Sequence, residues 1–258
     1  MTARQFSHRP GLAATLLAAD LRRVFRDGLM AGIIVAPLAV ALVFRLFVPD
    51  AATLEAILAT QLGAVKGTEL ARAAPVLLMS LLAAVAPGLV GAVHGLLLVG
   101  ERDERTLMAL RVMPVSFARY MAMRMFTPLA LSVAMTIIAY PLAGLAPLPI
   151  ATVGLLALVN ATSAPVVALA MAAFARDKVA ALAVMRVANS VLALPILAYF
   201  ATPPLLFLAW PSPAYWQMTA LWSAAEGSPF AGFVAMALAI NAGLGAWLYA
   251  RFQRQGEA

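Results

Sequence analysis

Six apolar runs divide the chain, each close to or beyond the ~20 helical residues that cross a ~30 Å hydrocarbon layer. They lie at about Leu29–Val48, Ala73–Val99, Met125–Leu145, Ile150–Phe174, Val179–Phe200 and Phe230–Ala250. Length and apolarity predict transmembrane helices, because lipid offers no partner to an open sheet edge. The expected fold class is therefore all-α, a polytopic membrane protein with six spans. Residues 1–258 read as one domain: 1–28 a tail and interface helix, 29–250 the spans, 251–258 a second tail.

The shorter runs refine this picture. Before the first span, "TLLAADLRRVFRDG" puts Leu17, Leu21, Val24 and Phe25 on one helical face and Asp20, Arg23 and Asp27 on another. That pattern predicts an amphipathic helix lying along the membrane interface. After the first span, "DAATLEAILATQLGAVKGTELARAAP" clusters Leu54, Ile57, Leu58, Gln61, Leu62 and Val65, which predicts a short external amphipathic helix. Between the fifth and sixth spans, the apolar piece Leu205–Trp210 is too short to cross, and its Pro- and Trp-rich surroundings suit a re-entrant or interfacial segment.

Charge orients the spans. The chain is 64% hydrophobic and 11% charged, far below the roughly 25% charged residues of a soluble domain. With the N-terminus in the cytoplasm, 14 of the 18 basic residues fall on the cytoplasmic side. Lys66 and Arg72 stay outside, and Arg45 and Arg186 fall within spans. The positive-inside rule then puts both termini in the cytoplasm. The net charge of +7 belongs to these flanks and not to a nucleic-acid platform, so no nucleic-acid partner is expected. With no cysteine, thiolate chemistry and Cys-based metal sites are excluded, and no metal site is expected. The first residues lack a long apolar core and a small-residue cleavage site, so a cleaved signal peptide is not expected.

One polar stretch stands out, "GERDERTLMALRVMPVSFARYMAMR", between the second and third spans. Glu104 to Val112 reads as a short helix that Pro114 ends, with Leu107 and Leu110 on one ridge and Arg105, Met108 and Arg111 away from it. Such a ridge fits a groove on a soluble partner. Charge alone fits a solvated anchoring loop equally well. The run Glu101-Arg102-Asp103-Glu104-Arg105-Thr106-Leu107, then Leu110 and Pro114-Val115-Ser116, resembles the cytoplasmic signature of ABC-2 type transporter permeases. The order of interface helix, six spans and re-entrant-like segment is similar to that family as well. The chain departs from the pattern at Arg105, where the family usually has Gly, and at Met108, where it often has Glu.

The resemblance implies a permease subunit of a bacterial ABC exporter in the inner membrane, moving a drug, peptide or lipid-like substrate. It implies a coupling helix that docks on a separate ATPase through Glu101, Arg102, Glu104, Arg105, Thr106, Leu107, Leu110, Arg111 and Pro114. ATP and Mg²⁺ would bind the partner, since no G-x-x-x-x-G-K-[ST] loop occurs here. Six spans are half of such an exporter, so a second copy or a related permease is implied, with membrane lipid around both.

Inside the spans, Arg186 lies roughly 12 Å beyond Lys178 at 1.5 Å per residue. There translocon scales charge roughly 2.5–3.5 kcal/mol for Arg. Asn189 and Ser190 follow at i+3 and i+4. These three, with His94, are candidates for the translocation path; the alternative is a hydrogen-bond staple with a snorkelling Arg. Asn160, Thr162 and Ser163 read as packing groups, and Pro37, Pro87, Pro128, Pro141, Pro165 and Pro195 as candidate kinks. A hydrolase lacks its motifs: neither His8 nor His94 is followed by Glu, and no G-x-S-x-G occurs. A secondary transporter, which usually places a carboxylate at membrane depth, and a non-ABC scaffold are the alternatives to an exporter.

Overall fold

The computed structural model describes residues 26–103, 117–200 and 209–256, together with Arg22 and Phe207. Among these the chain is helical and without strands, and six helices or helix pairs are long and apolar enough to cross a membrane. The predicted interface helix before Arg26 falls almost wholly outside the described residues. So do the predicted coupling helix Glu104–Val112, with Pro114, and half of the run Leu205–Trp210.

The elements in chain order are α1 (Gly28–Phe47), α2 (Ala51–Leu62), α3 (Ala64–Asp103), α4 (Phe117–Ala143), α5 (Ile150–Ala161) and α6 (Ser163–Phe174). Next come α7 (Lys178–Ala193), a 3₁₀ turn (Leu194–Phe200), α8 (Pro213–Ala225) and α9 (Ala231–Gly256). The long helix α3 is the axis of the bundle, packing against α1, α2, α4, α6, α7 and α8. It is mostly buried, whereas α1, α7 and α9 turn most of their surface outward.

Apolar burial gives little drive between helices already in lipid, so close packing of small residues has to supply it. On α3, Gly91 meets α6 so closely that a Cβ there would stand 2.5 Å from the Ala164 carbonyl oxygen and 2.9 Å from the Val167 Cβ. About two turns away, Leu82, Ala83 and Ala84 join Tyr140, Leu156 and Trp222 in the largest apolar cluster. The Trp222 indole N–H donates to the Ser80 hydroxyl at 2.8 Å, tying α8 to α3.

Three boundaries differ from the sequence reading. The external helix stops at Leu62, where Gly63 takes φ +84°. Val65, expected in that helix, instead lies in α3, which begins at Ala64, nine residues before the expected start of the second span, and doubles back along α2. Asp50 caps α2, accepting from the Thr53 hydroxyl at 2.7 Å and the Thr53 N–H at 3.3 Å. Those bonds hold its carboxyl below the ordinary range.

The fourth span is broken into α5 and α6 at Thr162, three residues before Pro165, which has no N–H for the Ala161 carbonyl. The fifth passes into a 3₁₀ turn at Leu194, next to Pro195. Pro37, Pro87, Pro128 and Pro141 lie inside continuous helices.

At one end of the bundle lie Arg102, Arg119, Arg124, Arg176, Lys178, Arg251 and Arg254, the basic residues that close α3, α6 and α9 or open α4 and α7. At the opposite end, Arg45 donates to the Leu142 carbonyl at 3.4 Å, covering one of the free acceptors at the end of α4.

Candidate functional site at the arginine-rich end

Residues 104–116 leave α3 and return as α4, so the two helix ends frame that segment. They are locked together by charge. Glu101, on the last turn of α3, forms an ion pair with Arg124 on the second turn of α4. The Tyr120 hydroxyl donates to its other carboxylate oxygen at 3.0 Å. Glu101 is 6% exposed and Arg124 4%, so neither charge is open to solvent. Removing one partner of such a buried pair leaves the other uncompensated, at about 3–5 kcal/mol.

The next residue turns the other way. Arg102 donates to the Ala172 carbonyl at 3.1 Å and to the Ala175 carbonyl at 2.5 Å. Ala172 lies in the last turn of α6 and Ala175 caps it, where carbonyls have no helical partner and carry the negative end of the helix dipole. Asp177 then caps α7, its carboxylate accepting from the Ala180 N–H at 2.8 Å. Lys178 lies against Gly100, its Cε 3.2 Å from where a Cβ would stand. The Arg251 guanidinium sits 4.5 Å above the Phe174 ring and links α9 to the same corner.

Of the expected docking residues, Glu101 and Arg102 therefore make their polar contacts within the chain. Glu104, Arg105, Thr106, Leu107, Leu110, Arg111 and Pro114 lie outside the described residues. In the sequence Arg124 is only one more flanking charge, and nothing there marks Tyr120. The available signal was two opposite charges, Glu101 and Arg124, one at each end of the polar loop.

Deeper in the bundle the four polar candidates separate. His94 is 2% exposed on α3, and its Nδ1–H donates to the Val90 carbonyl at 2.8 Å, a bond within its own helix. Asn189 turns toward α3, its Oδ1 2.6 Å from where a Gly88 Cβ would stand. Arg186 and Ser190 face outward on α7 beside Val187 and Val191, and Arg186 has no hydrogen-bond or ion-pair partner among the described residues.

A second polar group gathers at the broken fourth span. At Thr162 the chain closes a tight turn, with both its N–H (3.3 Å) and its hydroxyl (2.6 Å) on the Val159 carbonyl. Gln217 of α8 donates to the same carbonyl at 3.0 Å and exchanges bonds with Ser163. Asn241 of α9 donates to the Thr162 hydroxyl at 2.8 Å. The predicted re-entrant element is thus a short helix, α8, whose glutamine reaches a helix break inside the bundle. Among the described residues no group of His, Asp and Glu is arranged to hold a metal ion.

A multi-pass bundle with charge concentrated at one end suits passage through a membrane. The family comparison decides the class: residues 20–249 match the model for the Rv2686c-like fluoroquinolones export permease protein. The chain belongs to this permease family. It is a family of ABC-2-type permeases, in agreement with the signature that begins at Glu101. No curated protein sequence matches the chain. As a family member the chain is a membrane-embedded transport subunit and not an enzyme in its own right.

Proposed function

We propose that this permease is the translocating subunit of an ATP-driven exporter in a bacterial inner membrane, with both termini in the cytoplasm. Its cargo is a hydrophobic or amphipathic drug, and the family's name makes a fluoroquinolone the first to try. ATP and Mg²⁺ belong to a separate ATPase subunit, and two permease chains, identical or related, flank the path. The excess of arginine at the end where α3 and α4 meet supports the orientation.

The observation that carries this reading is the segment Glu104–Pro114 together with its mounting. In the sequence Thr106, Leu107 and Leu110 fall between two helices that Glu101, Tyr120 and Arg124 fasten to each other. A push that reaches these two helix ends moves both transmembrane helices together. Leu107 and Leu110 supply the apolar contact to the ATPase, and Glu104, Arg105 and Arg111 fix its orientation. The outward face of α7 bearing Arg186 and Ser190 lines the path between the two permease chains.

The test is capture of the cognate ATPase by the tagged permease. Leu107→Asp with Leu110→Asp should abolish capture while the variant still inserts and extracts as wild type does. Equal capture by the double variant would rule out docking through this ridge.

A further inference from the structure

Whatever binds the segment between α3 and α4, the residues just outside it have an arrangement of their own. Within two residues at the end of α3, one side chain is committed to α4 and the next to α6. Glu101 accepts from Arg124 and Tyr120, and Arg102 covers the Ala172 and Ala175 carbonyls at the end of α6. One residue earlier, Gly100 lets the Lys178 side chain lie against the backbone at the start of α7. Three helices and the start of a fourth therefore meet at residues 100–102, just before residues 104–116 in the chain.

We propose that Glu101, Arg102, Tyr120 and Arg124 form a rigid joint that carries force from residues 104–116 into α4, α6 and α7 together. They are positioning residues that do not themselves touch the partner. This deepens the docking reading above and rests on it for the source of the force.

The physical basis is how stiff each contact is. A buried ion pair cannot loosen part-way without leaving a charge uncompensated, so α3 and α4 stay together when pushed. The bidentate grip of Arg102 on helix-terminal carbonyls is held by the fork of its guanidinium and by the α6 dipole. The link from α6 to α7 is only three residues, Ala175 to Asp177, and Asp177 already caps α7. Movement of the corner is thus passed to α7, the helix on which Arg186 faces outward. A partner bound to the same segment without this joint would tilt the segment and leave α6 and α7 behind.

The chain contains no cysteine, so spin labels can be placed at Ala118→Cys on α4 and Arg176→Cys between α6 and α7, both exposed positions. In the purified permease alone, the distance distribution between them should be narrow. It should broaden in Glu101→Gln and in Arg124→Gln, and narrow again when the charges are exchanged (Glu101→Arg with Arg124→Glu). Tyr120→Phe removes a single bond, is the variant least prone to misfold, and should broaden the distribution to a smaller extent.

In the complex with the ATPase, Arg124→Gln should leave capture unchanged and lower export by about tenfold, the scale of a typical coupling energy. Distributions identical to wild type in Glu101→Gln and Tyr120→Phe would overturn the joint. Export at the wild-type rate, or a loss of capture equal to the loss of export, would overturn its role in transmission. Failure of the wild-type permease to capture any ATPase would instead overturn the docking reading, and the label distances would still decide the joint.

Discussion

Gln217 shows what one side chain does at membrane depth. The break at Thr162 leaves the Val159 carbonyl without its usual helical donor, and the Gln217 amide reaches in from α8 to serve it. Gln217→Leu keeps the bulk of the side chain and removes both the donor to Val159 and the partner of Ser163. The loss should be modest, about 1 kcal/mol, because Thr162 still donates to that carbonyl. A melt in detergent or lipid nanodiscs should show a drop of a few degrees; an unchanged midpoint would make the network dispensable. Nothing in the sequence marks Gln217 for this role. Its neighbours Tyr215, Trp216 and Trp222 read as an interfacial aromatic belt, and its partners lie more than fifty residues away in the chain. His94, a path candidate from its depth in the second span, is buried on α3 and bonds the Val90 carbonyl of its own helix.

At the scale of elements, span number and order were legible from run length, because the thickness of the bilayer dictates it. Where helices break was not, because that depends on packing. Six prolines were flagged, yet only Pro165 and Pro195 accompany an interruption of the α-helix. The start of α3 at Ala64 was missed because Lys66, Glu69 and Arg72 look like loop residues, although a helix can project past the hydrocarbon layer. Packing along α3 makes a graded prediction. A methyl at Gly91 would meet the backbone carbonyl of Ala164, which cannot move without shifting α6. A methyl at Gly95 would meet only the Met171 side chain, whose Sδ at 2.6 Å can bend aside while its Cβ at 2.9 Å is fixed to α6. Gly91→Ala should therefore cost more than Gly95→Ala, roughly 1–3 kcal/mol as an overpacking defect. Measured unfolding midpoints decide it, and the reverse order would show that α6 is free to retreat from α3.

For the whole molecule, the telling feature is a face that a single copy leaves open. In one chain, α7 turns Arg186 and Ser190 outward among Val187 and Val191, whereas Asn189 packs inward over Gly88. The sequence placed all three on one stripe; the fold divides the stripe between α3 and the exterior. A lone arginine presented to hydrocarbon costs roughly 2.5–3.5 kcal/mol even on lenient insertion scales. If Arg186 merely reached for the headgroups, Arg186→Leu would relieve that cost and change nothing else. If the face lines the path between two permease chains, the same change removes the charge that meets cargo. Arg186→Leu should then insert, extract and melt at least as well as wild type, while drug-stimulated ATP turnover by the complex falls by about tenfold, and Arg186→Lys should retain part of it. Stability and turnover have to be measured on one preparation, because only their divergence separates a working charge from an anchoring one. Full stimulation in Arg186→Leu would reduce the residue to a lipid anchor and move the path to another face of the bundle.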